Sequence, residues 1–222
     1  MDPNRRSLAE SKSNIIYFMI IGPKYKIARR LGVSVFEKTQ TQKYAMRLGQ
    51  KAQRAQSQSR PKAKSNYGLG MLEKQKARYS YGITAKQFGK YVKQAIEKKG
   101  NSSELLIRTL EGRLDNVALR SGFTTTRQAA RQMVSHGHLT VNSDIVTIPS
   151  YEVNVGDVIA IREGSKKKAL FLSLDERFKT VKIPAWLKLD FDKKEIKVEG
   201  VPRAEESELL FNVGAVLEFY SR

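Results

Sequence analysis

Cysteine is absent from this 222-residue sequence, which excludes a disulfide framework, a thiol nucleophile and any metal site built on thiolates. Histidine is nearly absent too. His136 and His138 stand one residue apart with no acidic cluster beside them, so no metal centre is expected. The longest apolar run, Ile15 to Ile21, ends at Gly22-Pro23, well short of the ~20 apolar residues that a spanning helix needs. No membrane partner is expected. Arg5-Arg6 precede that run as in a signal peptide, but no small-residue cleavage pattern follows it, which argues against export. A phosphate-binding P-loop, a glycine-rich dinucleotide fingerprint and a G-x-S-x-G elbow are all missing. The paired carboxylates Asp175-Glu176 and Glu205-Glu206 are chain neighbours that do not face one another. Neither catalytic residues nor a cofactor are therefore expected.

Acidic residues are scarce. Against 22 Asp and Glu stand 41 Lys and Arg, a net charge of +19 and a pI of about 10.1. Such an excess opposes a compact chain through self-repulsion and is most simply explained by a polyanionic partner. The excess is local. Residues 20–102 hold 20 basic and 3 acidic side chains, a net of +17, whereas residues 103–163 hold 6 and 7. With 40% hydrophobic and 9% aromatic residues the chain has enough apolar surface to fold.

Gln50 to Ser65 is polar, basic and without period, which predicts an irregular segment ordered by a partner. Thr84-Ala85-Lys86-Gln87 is a capping pattern, and Phe88, Tyr91, Val92, Ala95 and Ile96 share one face of a helix over 85–99. A second helix is expected after Asn101-Ser102-Ser103, with Leu106, Leu110, Leu114 and Val117 as one stripe running to Gly122. A third begins near Thr125 and buries Ala129, Ala130, Met133 and Val134. The period then changes to two: Leu139 and Val141, a turn at Asn142-Ser143-Asp144, then Ile145, Val146 and Ile148, and Val158–Ile161 after Gly156-Asp157. This is a compact helix-on-sheet unit. Ala169 to Lys179 reads as a helix, and the tail around Trp186, Phe191, Ile196 and Val198 as short strands.

Arg127 and Arg131 lie at i and i+4 on the third helix, opposite its apolar residues. A cation in the first turn opposes the helix macrodipole. A phosphate between the helix N-terminus and the guanidinium groups would remove that penalty, and an exposed arginine tolerating it explains the pattern equally well. Lys74, Lys76, Arg78, Lys86, Lys90 and Lys93 alternate with aromatic residues, a mixture that suits phosphate contacts and base stacking. Phe88 and Tyr91 fit the helix core; Tyr79 and Tyr81 fit either role.

Gly22-Pro23-Lys24, Arg29-Arg30-Leu31-Gly32, Tyr67-Gly68, Glu73 to Arg78, Tyr81-Gly82, Lys99-Gly100-Asn101, Leu110 to Val117, Thr126-Arg127, Ala130-Arg131-Gln132, Val134-Ser135-His136 and the closing Phe219-Tyr220-Ser221-Arg222 closely resemble the family of the fourth protein of the bacterial small ribosomal subunit. The resemblance runs from about residue 20 to 222. It implies an α+β fold: a mostly helical first domain (20–109) interrupted by a small RNA-binding module of helices packed on an antiparallel sheet (110–170), with residues 171–222 returning to the first domain. Residues 1–19 form an extension that is disordered or untranslated, since Met19-Ile20-Ile21-Gly22 is similar to the family's beginning and points to a start at Met19.

The function implied is that of a non-enzymatic constituent of the small ribosomal subunit in a bacterial cytoplasm. It would bind 16S rRNA at a 5′-domain junction, nucleate assembly of the subunit body, contribute to translational accuracy with the fifth small-subunit protein, and line the channel by which mRNA enters. No homo-oligomer is implied. Carried over by position, rRNA contacts fall on Lys24, Arg29, Arg30, Lys74, Lys76, Arg78, Arg113, Arg127, Arg131, His136, His138 and Asn142, and mRNA contacts on Arg60, Lys62 and Lys64. Two departures stand out. The zinc-binding cysteine cluster of many relatives is absent, and Asn142-Ser143 replaces the usual Asn-Gly hairpin turn, a costly pair if both residues need positive φ. Two competing readings are a pseudouridine synthase, because Arg113-Leu114-Asp115 matches its catalytic tripeptide, and a free-standing RNA-binding stress protein. No segment is left for a synthase sheet domain, Asp115 is expected to pair with a neighbouring arginine, and the long N-terminal match disfavours the stress protein.

Overall fold

A computed structural model describes residues 21–56, 65–203 and 209–221. Arg60, Lys62, Lys64 and the extension lie outside them. The first unit is helical: α1 (Lys24–Leu31), α2 (Gln42–Gln56), α3 (Asn66–Ser80), α4 (Ala85–Glu97) and α5 (Ser102–Glu111). The segment expected to be irregular from Gln50 is therefore helical as far as Gln56. Side-chain oxygens start three of these helices by accepting orphan backbone N–H groups: Ser65 from Gly68, Thr84 from Gln87 and Asn101 from Ser103. Helix α4 turns Phe88, Tyr91, Val92 and Ala95 inward, as its period predicts, and ends at Glu97 where Lys98 becomes extended. Together with Ala77, Ile83, Leu106, Leu110, Phe211 and Val216 they form one core. Each fully buried Phe or Leu contributes about 1.5–3 kcal/mol relative to exposure.

The single helix expected from residue 103 to Gly122 is two helices. Helix α5 stops at Glu111 and α6 (Leu114–Arg120) begins after Arg113, whose φ of −71° and ψ of 137° are extended. The break is held from outside. Val153 N donates to Gly112 O at 2.8 Å, Leu114 N to Tyr151 O at 2.9 Å and Asp115 N to Pro149 O at 3.2 Å. A Cβ at Gly112 would stand 2.9 Å from the Arg108 carbonyl oxygen, so only glycine fits there. Leu110, Leu114 and Val117 keep a helix-like spacing of four and three residues across the kink, so the period alone does not reveal it.

Helix α7 (Arg127–Ser135) is capped by Thr126, one residue later than expected, and is followed by β1 (Leu139–Val141), β2 (Asp144–Ile145) and β3 (Val158–Ile161). A 3-10 turn (Ala169–Phe171) and α8 (Leu174–Thr180) replace the helix expected over 169–179, and β4 (Leu187–Asp190) and β5 (Glu195–Val198) come next. All five strands join one antiparallel sheet in the order β2-β1-β3-β5-β4. The division of the chain is corrected here. Residues 171–198, expected to return to the first domain, pack on the module: β5 pairs with β3 through Ile159↔Ile196, and Phe171, Leu174, Phe178, Trp186 and Leu187 share a core with Leu114, Phe123, Met133 and Leu139. The return is made by Leu209, Phe211 and α9 (Val213–Ser221), which lies along α3 and α4.

At the β1–β2 hairpin both turn residues have positive φ, 50° at Asn142 and 75° at Ser143. Asparagine is at home there, serine is not. Ser143→Gly should therefore stabilise the protein by about 1 kcal/mol, read as a rise of about 2–4 °C in Tm; an unchanged or lower Tm would show that the turn carries no such strain.

Candidate nucleic-acid interface

The two units meet around one carboxylate. Glu111, at the end of α5, is 1% exposed and accepts from Tyr81 Oη at 2.6 Å, from Asn116 Nδ2 at 2.7 Å, and from Arg120 Nε and Nη2 at 3.1 Å each. Asn116 Oδ1 in turn accepts from Arg127 Nη1, and the Arg127 guanidinium lies 4.7 Å from the centre of the Tyr81 ring. The network thus runs from the C-cap of α3 through α5 and α6 to α7. Burial pushes the Glu111 carboxyl up, but the hydrogen bonds and charge of Arg120, with Arg127 and Tyr81 behind them, outweigh it and hold its pKa below the ordinary value. The Tyr81 hydroxyl is driven well above its usual range by burial and by Glu111. Tyr81, which the sequence leaves between core and stacking platform, is a buried donor to this network.

Beside it lies a second buried pair. Arg113 is 2% exposed; its Nε and Nη2 donate to the two carboxylate oxygens of Asp115 at 3.0 and 2.7 Å, and its Nη1 donates to Tyr91 Oη at 2.7 Å. Burial works against the Arg113 charge and the Asp115 carboxylate more than restores it. The expectation that Arg113 contacts RNA is corrected by this geometry: its guanidinium is enclosed inside the protein. The Arg-Leu-Asp tripeptide is likewise a structural joint, with both Asp115 oxygens bonded to the preceding arginine.

Helix α7 is where sequence and structure part most clearly. Arg127 and Arg131 do share a side of the helix, but that side faces inward. Arg131 Nη1 donates to Gly82 O at 3.0 Å, and burial lowers its pKa. The outward face carries Gln128, Gln132 and His136, all exposed. At the helix N-terminus, where a phosphate suits the pattern, stands a carboxylate of the same chain: Glu37 Oε1 accepts from Arg127 N at 3.3 Å. Lys24 Nζ donates to Gln128 Oε1 at 2.8 Å, so the segment around α1 clasps α7 from the side. A cavity of about 50 Å3 remains between Lys24, Glu37, Ser80, Arg127 and Arg131.

The other candidate residues are scattered. Lys74 Nζ sits 5.1 Å from both the Phe219 and Tyr220 rings, Arg78 packs over Tyr79 at 4.5 Å, and Lys76 pairs with Glu73 at 2.6 Å. His138 Nδ1 is 2.9 Å from Ser165 Oγ, and its pKa is lowered by burial and by Lys168. Asn142 braces its hairpin, donating to Asp157 Oδ1 at 2.8 Å and accepting from Val158 N at 2.9 Å. Arg29 and Arg30 are exposed on the last turn of α1. Glu37, Glu111, Asn116 and Arg120 have no place among the candidates read from sequence. A signal existed for Glu37, the only acidic residue between Glu10 and Glu73.

Residues 19–111 match the family model described as the ribosomal protein S4/S9 N-terminal domain, and residues 112–159 match the S4 domain model. The protein named small ribosomal subunit protein uS4 of Akkermansia muciniphila is 41% identical over 202 residues, covering 90% of this chain and 98% of the relative. That of Roseiflexus castenholzii is 44% identical over 208 residues, covering 91% and 98%, and that of Persephonella marina 42% over 202 residues, covering 90% and 98%.

The folded state binds a proton at Glu111 less readily than the unfolded chain does, so protonation favours unfolding. Its contribution is complete at neutral pH, begins to be lost as the pH falls through the ordinary value of 4.5, and is gone below the depressed folded pKa. Glu111→Gln should lower stability at pH 7 by about 3 kcal/mol and flatten the acid limb of the stability profile. A denaturant series at several pH values with parallel profiles for the two proteins would refute this.

Proposed function

This chain belongs to the uS4 family of small ribosomal subunit proteins, and from that premise we propose that it binds 16S ribosomal RNA directly, with the first unit as its electrostatic anchor. The observation that carries the reading is where the charge goes. Many cations of the first unit stand outward: Lys26, Arg29, Arg30, Lys43 and Arg47 are all exposed, within a stretch of net charge +17. A-form RNA offers its phosphates and shape and hides the base edges of its deep major groove, so lysine and arginine spread over a broad face suit it. The module supplies an uncharged polar surface, the outward face of α7 with Gln128, Gln132 and His136, held at a fixed angle by the Glu111 network.

The finer roles rest on the same family reading. The protein engages a junction in the 5′ domain of the rRNA early and nucleates assembly of the subunit body. It contacts the fifth small-subunit protein in support of accurate decoding, and Arg60, Lys62 and Lys64 face the mRNA channel. These steps require binding and shape only, and no bond is made or broken.

Binding to a 5′-domain rRNA fragment, to transfer RNA and to duplex DNA over a salt series tests the core of this reading. With about 6–10 phosphates neutralised, affinity should fall roughly a thousandfold or more between 50 and 200 mM salt while the preference for the fragment persists. Arg29→Ala with Arg30→Ala should weaken binding to every nucleic acid and reduce the salt slope by about two, with Tm unchanged because both side chains are exposed. Equal affinity for all three nucleic acids at physiological salt would sink the specific role.

A further inference from the structure

Between residues 20 and 72 the chain has 12 lysines and arginines and a single carboxylate, Glu37. A lone acid in so basic a stretch weakens the attraction of that stretch for RNA, so its retention calls for an internal use. The structure supplies one. Phe36 and Thr39 fix the turn that carries Glu37: Phe36 N donates to Thr39 Oγ1 at 3.2 Å, Thr39 Oγ1 donates to Phe36 O at 2.6 Å, and both residues are buried. From this turn the half-buried carboxylate reaches Arg127 N and lines the same cavity as Lys24, Arg127 and Arg131. Two further polar atoms of that region, Ser80 Oγ and Arg131 Nε, are buried without a hydrogen-bond partner. Hydrogen bonding at this joint is thus incomplete among the described residues. Lys24 provides a second side-chain tether between this segment and α7, through Gln128.

We infer that Glu37 is a specificity-determining residue for RNA: an internal carboxylate that holds the α1 segment against α7 and opposes any polyanion that approaches the joint from one side only. The inference rests on the RNA-binding reading above and adds a selection rule to it. A nucleic acid that touches α7 alone meets the negative charge of Glu37 beside Gln128, Gln132 and His136, with Arg127 and Arg131 turned inward and unable to offset it. One that touches the α1 segment alone leaves the clasp shut. An RNA fold wide enough to bind Lys26, Arg29 and Arg30 together with α7 gains enough phosphate contacts to outweigh that repulsion. Generic single strands and regular duplexes are therefore disfavoured, while a broad junction is not.

Glu37→Gln keeps an acceptor for Arg127 N and removes the charge. Titrated at fixed salt, this variant should bind poly(U) and transfer RNA about two- to fivefold more tightly and the 5′-domain rRNA fragment by a smaller factor, so that the ratio of affinities narrows. An unchanged ratio, or a common loss on all three ligands, would overturn the role of Glu37. Gln128→Ala removes the other tether and keeps the carboxylate. It should speed tryptic cleavage at Arg29 and Arg30 but raise generic binding less than Glu37→Gln does; an equal rise would assign the effect to release of the segment and overturn the role of the charge. The unaltered protein in the same titration separates the two readings. If it shows no preference for the rRNA fragment, the family role fails; if the preference is present and insensitive to Glu37, only the selection rule fails.

Discussion

Everything that positions the candidate interface depends on keeping one carboxylate ionised where two hydrophobic cores touch. Taking a carboxylate out of water costs several kcal/mol, and the attraction of a partner restores this only where the remaining lone pairs are also satisfied. Glu111 meets that condition with donors from Tyr81, Asn116 and Arg120. Because these donors sit on α6 and at the end of α3, the charge cannot be satisfied unless the helical unit and the module are docked in one orientation. Asn116 passes the constraint to Arg127, and Arg113 with Asp115 and Tyr91 repeats the device two residues further on, at the kink between α5 and α6. Breaking such a buried pair is far more costly than never having had it, so the joint defines geometry more than it adds stability.

This division of labour explains the charge distribution. The two buried carboxylates at the joint, Glu111 and Asp115, each hold an arginine, Arg120 and Arg113, while most of the excess charge lies on exposed faces of the first unit, where desolvation is small and counterions can be released to a polyanion. The module, residues 112–198, carries 15 basic and 10 acidic side chains, a net of +5 against +17 for residues 20–102, and works as a shaped surface. Salt should therefore govern how tightly the protein binds, and the joint should govern what it binds.

Local features were legible in the sequence because local physics decides them. The caps at Thr84 and Asn101, the inward face of α4, the Leu139–Val141 strand and the positive-φ turn at Asn142-Ser143 follow from periods and turn chemistry. The family was legible through ordered motifs from Gly22 to the C-terminus. What was not legible depends on contacts distant in sequence. The break at Gly112 is held by Pro149, Tyr151 and Val153, and β5 joins the module's sheet through partners on β3 nearly forty positions earlier. Arginine was the hardest residue to place. A guanidinium suits a phosphate, a carboxylate or a backbone carbonyl, and the i, i+4 spacing of Arg127 and Arg131 cannot say which; the structure gives them Asn116 and Gly82.

The central claim is that the Glu111 joint makes the two units one cooperative body. The single tryptophan, Trp186, is 5% exposed in the module core, whereas most of the long helices belong to the first unit, so each unit has its own reporter. Urea unfolding at neutral pH followed at once by Trp186 fluorescence and far-ultraviolet circular dichroism should give coincident transitions with one midpoint. Two resolved midpoints, with the module unfolding while the helices persist, would contradict it.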